Sequence, residues 1–164
     1  MRLEKLKIQV FENFSDELEV QWKKIEKNSN FNPFLSYEWI KLWQNEIGGK
    51  LLKVKPKIIL IENNQNEKAI FPFCIKHQNS IKICEWMGDI NSDYMGFIAT
   101  RKFNLEEINF KELLKIILET IGNIDVLYLK NQLPKINNFE NPFYNLRSIY
   151  KKKAYLSFLN KNWE

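Results

Sequence analysis

Between Lys57 and Met87 three apolar segments are separated by only two short polar turns, a spacing that fits an antiparallel meander. Lys57 to Glu62 reads as a short buried strand after Pro56, and Asn63-Asn64-Gln65-Asn66 supplies the first turn. Lys68 to Lys76 and Ile81 to Met87 then form a hairpin around a three-residue loop, Gln78-Asn79-Ser80. Pro72, inside the middle strand, lacks a ladder donor, which predicts an edge or a bulge there. Cys74 and Cys84 sit symmetrically about Asn79, so across such a loop they face each other from two strands.

The meander is flanked by helical patterns on both sides. Lys5 to Glu12 alternates Leu6, Ile8 and Val10 with polar residues, which predicts a half-buried strand. Asn13 or Ser15 caps a helix running to about Ser29, with Asp16, Glu17 and Glu19 in its first turn and Lys23, Lys24 and Lys27 near its end. Leu18, Trp22 and Ile25 form its buried stripe. After a turn at Asn28 to Pro33, Ser36 caps a second helix in which Trp39, Ile40, Trp43 and Ile47 recur at helical spacing before Gly48-Gly49. Beyond the meander, Gly88 to Asn104 reads as irregular, with a short apolar insert from Tyr94 to Ala99. Glu106 to Ile121 is a helix with Ile108, Leu113, Ile116, Ile117 and Ile121 on one side and Gly122 as its stop. Asp125 to Lys130 is a strand, Phe139 to Tyr144 a helical turn, and Ala154 to Leu159 a last strand. The expected class is α+β: one domain over residues 1–153, a mostly antiparallel mixed sheet flanked by helices, in the order β-α-α-β-β-β-α-β. Residues 154–164 read as a strand or linker beyond it.

Composition limits what such a chain can do. Its 164 residues suffice for one core, and an apolar fraction of 45% with 14% aromatics excludes a disordered tail. The net charge of +5 comes almost wholly from lysines interleaved with acids, with only Arg2, Arg101 and Arg147 as arginines. Phosphate binding favours a contiguous arginine-bearing stripe, so no nucleic-acid partner is expected. The N-terminus has no apolar signal region, and no apolar run approaches the roughly 18 residues of a membrane span, which predicts a cytoplasmic protein. In that compartment the two cysteines read as buried free thiols. His77 is the only histidine, expected exposed beside the hairpin turn. No metal-ligand set and no nucleophile–base–orienter arrangement is legible, so no catalytic residue is assigned.

The stretch from Asn32 to Trp43 joins a proline-set turn, a serine cap and an aromatic helix. Together with Ile70-Phe71-Pro72-Phe73, Trp86-Met87-Gly88 and Asp93-Tyr94, it resembles the N-terminal half of CelD/BcsL-like acyltransferases of the GNAT superfamily, relatives of the FemAB aminoacyl transferases. The resemblance covers about Asn32 to Pro142. It implies a GNAT-like unit that works with a second GNAT domain, in cis or in trans, which carries the acyl-CoA site and the catalytic machinery. The implied activity is acyl transfer to an amine or hydroxyl of a sugar or cell-envelope precursor. The chain ends at Glu164, where family members continue into the second domain, which suggests a fragment, a truncated frame or half of a split protein.

In a catalytic GNAT unit the loop between the fourth strand and the third helix cradles the pyrophosphate of acyl-CoA through a Gln/Arg-x-x-Gly-x-Gly/Ala motif. The corresponding Gly88 to Gly96 lacks that spacing and puts Asp89 and Asp93 where phosphate oxygens would lie, so this chain is expected to bind no cofactor. The residues expected to border an acceptor are Tyr37, Glu38, Trp86, Asp93 and Tyr94, which combine carboxylates, phenols and a stacking surface. Simpler readings stand beside this one: Glu38 as a helix-dipole partner, Asp89 and Asn91 as turn formers, and Trp39, Trp43, Trp86 and Tyr94 as core. The alternative to an acyltransferase half is a stand-alone, non-catalytic binding module on the same scaffold.

Overall fold

The computed structural model describes residues 6–104 and 109–146. The strand expected at Ala154 to Leu159, the 154–164 linker, and Ile108 with the expected start of the third helix lie outside these residues. The described chain is α+β, a mixed six-stranded sheet flanked by three α-helices. In chain order come β1 (Lys7–Phe11), α1 (Asp16–Lys27), α2 (Tyr37–Trp43), β2 (Lys55–Glu62), β3 (Lys68–Gln78) and β4 (Ile81–Trp86). β5 (Ile98–Ala99), α3 (Phe110–Ile121), β6 (Val126–Tyr128) and a small hairpin of β7 (Lys135–Ile136) and β8 (Phe139–Glu140) follow. The sheet runs β1-β2-β3-β4-β6, with β5 paired to β3. Only β4 and β6 are parallel, joined by the crossover that α3 provides. The strands β5, β7 and β8 depart from the expected order. Each is two residues long, below the length at which alternation can be read.

The helices form where the chain caps them. Ser15 Oγ accepts from Leu18 N at 3.2 Å, and α1 buries Leu18, Trp22 and Ile25 one turn apart. Ser36 Oγ accepts from Trp39 N at 3.2 Å to start α2, whose last residues run on into a π turn, Gln44–Gly48. α3 starts at Asn109, whose Oδ1 accepts from Lys111 N at 3.2 Å, and buries Leu113, Ile117 and Ile121.

The sheet is covered on both faces, and consecutive residues Ile58 to Ile61 are all buried. On one face α1 and α2 pack Trp22, Ile40 and Trp43 against Ile58, Leu60, Ile70 and Cys74. On the other, α3 and Phe143 close over Ile59, Phe71, Phe73, Cys84 and Trp86. There Trp86 stacks on Phe73 at 4.4 Å and meets Phe143 edge-on at 6.0 Å, while Phe71 stacks on Phe97 at 4.9 Å. Such ring pairs add about 0.5–1.5 kcal/mol each to their burial.

Two expectations in the meander are corrected. The β3–β4 loop holds two residues, Asn79 and Ser80, with φ of 49° and 66°, and Gln78 pairs with Ile81. Both positive φ values belong to a tight hairpin turn whose twist matches its strands. The pairing axis therefore lies half a residue from Asn79, so Cys74 opposes Glu85 and Cys84 opposes Ile75. The cysteines do not face each other: Cys74 enters the α1/α2 layer and Cys84 the α3 layer, both as free buried thiols. Pro72 is neither at an edge nor at a bulge. It pairs with Ile58 in a central strand, at the position where the opposite edge of β3 passes from β5 at Ile70 to β4 at Phe73. Its carbonyl accepts from Met87 N at 2.9 Å, and its missing N–H faces that same gap.

The segment after β6 is fastened by asparagines. Asn131 (φ 54°) donates from Nδ2 to Ser92 O at 3.1 Å and accepts Met95 N at its carbonyl, at 2.9 Å. Asn141 is fully buried, donating to Leu133 O at 2.8 Å and accepting Phe143 N at 3.1 Å. This holds Phe143 in the aromatic cluster. Phe143→Ala should therefore cost about 3–5 kcal/mol in urea melts, as a core truncation does. A loss below about 1 kcal/mol would mean that this segment is not part of the core.

Burial pushes the Cys84 thiol up to about 12 and Cys74 well above its ordinary value. At pH 8 neither should react with a thiol reagent until the chain is unfolded, and mild oxidation should yield no Cys74–Cys84 cross-link. Rapid modification of either cysteine in the folded protein would contradict this packing.

Candidate functional site

Where the α1–α2 connection meets the loop after β4, three aromatic side chains gather at the surface. Asn32 Oδ1 accepts from Phe34 N at 3.0 Å, and Ser36 Oγ donates to Pro33 O at 2.8 Å, fixing a short 3-10 turn over Pro33–Leu35. That turn brings Phe34 edge-on to Trp39, with ring centroids 5.4 Å apart. Tyr94 lies 6.5 Å from Phe34, and all three rings are half-buried.

A side-chain hydrogen bond ties the loop to α2. Trp39 Nε1 donates to Ser92 Oγ at 2.9 Å, and Ser92 is buried. Gly88, at φ 115°, makes room for that serine, because a Cβ there would collide with Ser92 Oγ and Cβ. Asp93 is exposed beside Tyr94, and Ile90 is 85% exposed. The result is an aromatic patch with a carboxylate at its border, a form that suits ring stacking of a sugar or contact with a cation.

Next to this patch, at the carboxyl ends of the parallel pair, three titratable side chains come together. Asp89 and Lys130 form a hydrogen-bonded ion pair. Burial works against the charge on Lys130, yet the bond to Asp89 and the nearby carboxylates hold its pKa above the usual value. Glu85 on β4 is buried, and its Oε1 has no hydrogen-bond partner. Desolvation raises its pKa against the pull of Lys130 and Lys76.

The five residues expected to border an acceptor are dispersed. Asp93 and Tyr94 lie on the patch. Tyr37 is buried under α1, edge-on to Trp22 at 5.9 Å, with Lys41 Nζ 5.2 Å from its ring centre. Glu38 is exposed and pairs with Lys23 of α1 at 3.0 Å. Trp86 lies across the sheet from Tyr37, in the other core layer. Phe34 and Trp39 were not among the expected residues; the i to i+4 spacing of Trp39 and Trp43 reads as core, and only Trp43 is fully buried. The signal that could have found Trp39 is its place one residue off the Tyr37–Ile40–Trp43 stripe. Asp89, expected to repel a diphosphate, has its charge taken up by Lys130, leaving Asp93 as the exposed carboxylate of this loop. His77 is exposed in β3, opposite Lys82. Among the described residues no group of three His, Cys, Asp or Glu could hold a metal, and no helix is long and apolar enough to cross a membrane. No family model, curated protein or solved structure matches this chain.

A raised carboxyl pKa means that the folded state keeps a proton that the unfolded state releases. Stability from this proton is complete below the ordinary value of 4.5 and is lost as pH rises through the folded value. Glu85→Gln should therefore melt about 2–4 °C higher than the parent at pH 7.5, the gap closing below pH 4.5. A lower melting temperature at pH 7.5 would mean that Glu85 is ionised and stabilised by Lys130.

Proposed function

We propose that this chain is the acceptor-side, non-CoA-binding half of a GNAT-type acyltransferase of the CelD/BcsL-like kind, completed by a second GNAT domain in cis or in trans. The acceptor is an amine or hydroxyl of a sugar or cell-envelope precursor, and the acyl-CoA belongs to the other half. The observation that carries the reading is the patch of Phe34, Trp39 and Tyr94 bordered by Asp93, built where the first two helices meet the β4–α3 loop.

Three further observations support it. After β4 the chain does not run straight to α3. It closes a turn through Gly88 and Ser92 and returns to pair β5 with β3. In the first turn of α3 the N–H groups of Lys111 and Glu112 are already met by the Asn109 side chain, so these two are not free to meet a phosphate. Ile81, Val126 and Tyr128 are 44%, 42% and 46% exposed on the β4–β6 end of the sheet, an apolar surface suited to a partner domain. The second reading, a stand-alone binding module without turnover, is favoured by one feature: the Trp39–Ser92 bond completes the patch within this chain.

Calorimetric titration separates these readings from a self-sufficient enzyme. Glucosamine or N-acetylglucosamine should bind, and Tyr94→Ala should weaken that binding roughly tenfold, about 1.4 kcal/mol. Acetyl-CoA should give no heat with the isolated chain. Micromolar acetyl-CoA binding would overturn the assignment of this half.

A further inference from the structure

The α1–α2 connection, β5 and the β7–β8 hairpin wall a cleft of about 220 Å³, separate from the aromatic patch. Leu35, Met95, Phe97 and Ile98 give it a buried apolar lining, which Leu133 and Ile136 extend. Pockets that take drug-sized ligands measure roughly 300–1,000 Å³, so this smaller one fits a single ring and not a dinucleotide or an oligosaccharide.

The walls are fastened to one another by hydrogen bonds. Asn137, at φ 54° in the hairpin turn, donates from Nδ2 to Ala99 O and Thr100 O, both at 3.2 Å. Its Oδ1 accepts from Asn30 N at 3.0 Å, so one side chain joins all three walls. Arg101 N donates to Asn28 O at 2.8 Å, which ties the chain after β5 to the end of α1. The hollow is therefore built into the fold before any ligand arrives, and binding there pays little for ordering.

No charge is free at this cleft. Among the described residues lining it only Lys135 is charged, and its side chain is 62% exposed and paired with Glu140 at 3.1 Å. An ion entering would shed water and meet no available countercharge, so the complement is uncharged. Two of the lining asparagines keep amide atoms in reserve. Among the described residues no hydrogen bond engages the Asn30 side chain, which is exposed, or the Nδ2 of Asn32, whose Oδ1 holds Phe34 N at 3.0 Å. An asparagine amide offers a donor and an acceptor side by side, and its natural complement is another amide edge.

We propose that this cleft is a binding site for a small uncharged ring compound with a carboxamide or lactam edge, its ring seated against Leu35, Phe97 and Leu133 and its amide edge met by Asn30 and Asn32. The site stands on observations separate from those of the aromatic patch and does not depend on the acyltransferase reading. The two share one segment, because the Asn32 turn that presents Phe34 to the patch also lines the cleft.

Nuclear magnetic resonance titration of the full chain tests this, with benzamide as the probe and benzoate and toluene as its charged and apolar counterparts. Benzamide should shift the methyl signals of Met95, Ile98, Leu133 and Ile136, while benzoate, of the same shape, should bind at least about tenfold more weakly. Asn30→Ala keeps the backbone bond to Asn137 and alters an exposed side chain, so it should melt like the parent. It should lower benzamide affinity about fivefold and leave toluene affinity unchanged. The proposal fails if benzamide moves none of these methyls or if benzoate binds as tightly as benzamide. It fails equally if Asn30→Ala binds benzamide as the parent does, or if toluene matches benzamide in the parent, since the cleft would then be an apolar hollow without amide recognition.

Discussion

β3 is the element on which the rest of the structure depends. It is paired along both edges, with β2 on one side and β4 then β5 on the other, and it is buried on both faces from Ala69 to Ile75. Phe71 and Phe73 hold the α3 layer, while Ile70 and Cys74 hold the layer under α1 and α2. A strand in that position must satisfy its backbone through neighbours alone, because no water reaches it. Pro72 meets the condition by sitting where one partner strand ends and another begins, so the absent donor coincides with a break in pairing.

The aromatic patch inherits its rigidity from that strand at second hand. β5 is tied to β3, and the loop leading to it carries Ser92, Asp93 and Tyr94. A glycine that admits Ser92, a serine that receives Trp39, and an asparagine that bridges Ser92 to the chain after β6 make one continuous polar seam. Aromatic side chains on both sides of the seam are held without filling a core. They keep an open face because the buried space behind them is taken by Tyr37, Ile40 and Trp43.

Much of the fold was legible because its signals are local. Caps at Ser15, Ser36 and Gly122, the stripe of Leu18, Trp22 and Ile25, and the polar turns of the meander follow from side-chain periodicity and backbone chemistry. The register of the hairpin was less so. A loop of two residues instead of three moves Cys84 to the opposite face, and both loop lengths are compatible with the residues Gln78 to Ser80. The candidate site was the least legible part. Tyr94 and Asp93 could be picked out by type, but Phe34 and Trp39 join them only through a bond that spans 53 residues. Glu85 and Lys130 meet only because β4 and β6 lie side by side in parallel.

The sequence by itself determined where the helices and the longer strands lie, which way the helices turn their apolar faces, and that the chain folds as an α+β domain. These follow from interactions within a few residues. Only the tertiary structure decided which aromatics remain at the surface, which carboxylates are neutralised, and that an apolar-lined cleft opens between the α1–α2 connection and the β7–β8 hairpin. Such properties depend on pairs of residues tens of positions apart, where burial and field are set by packing and not by neighbours along the chain.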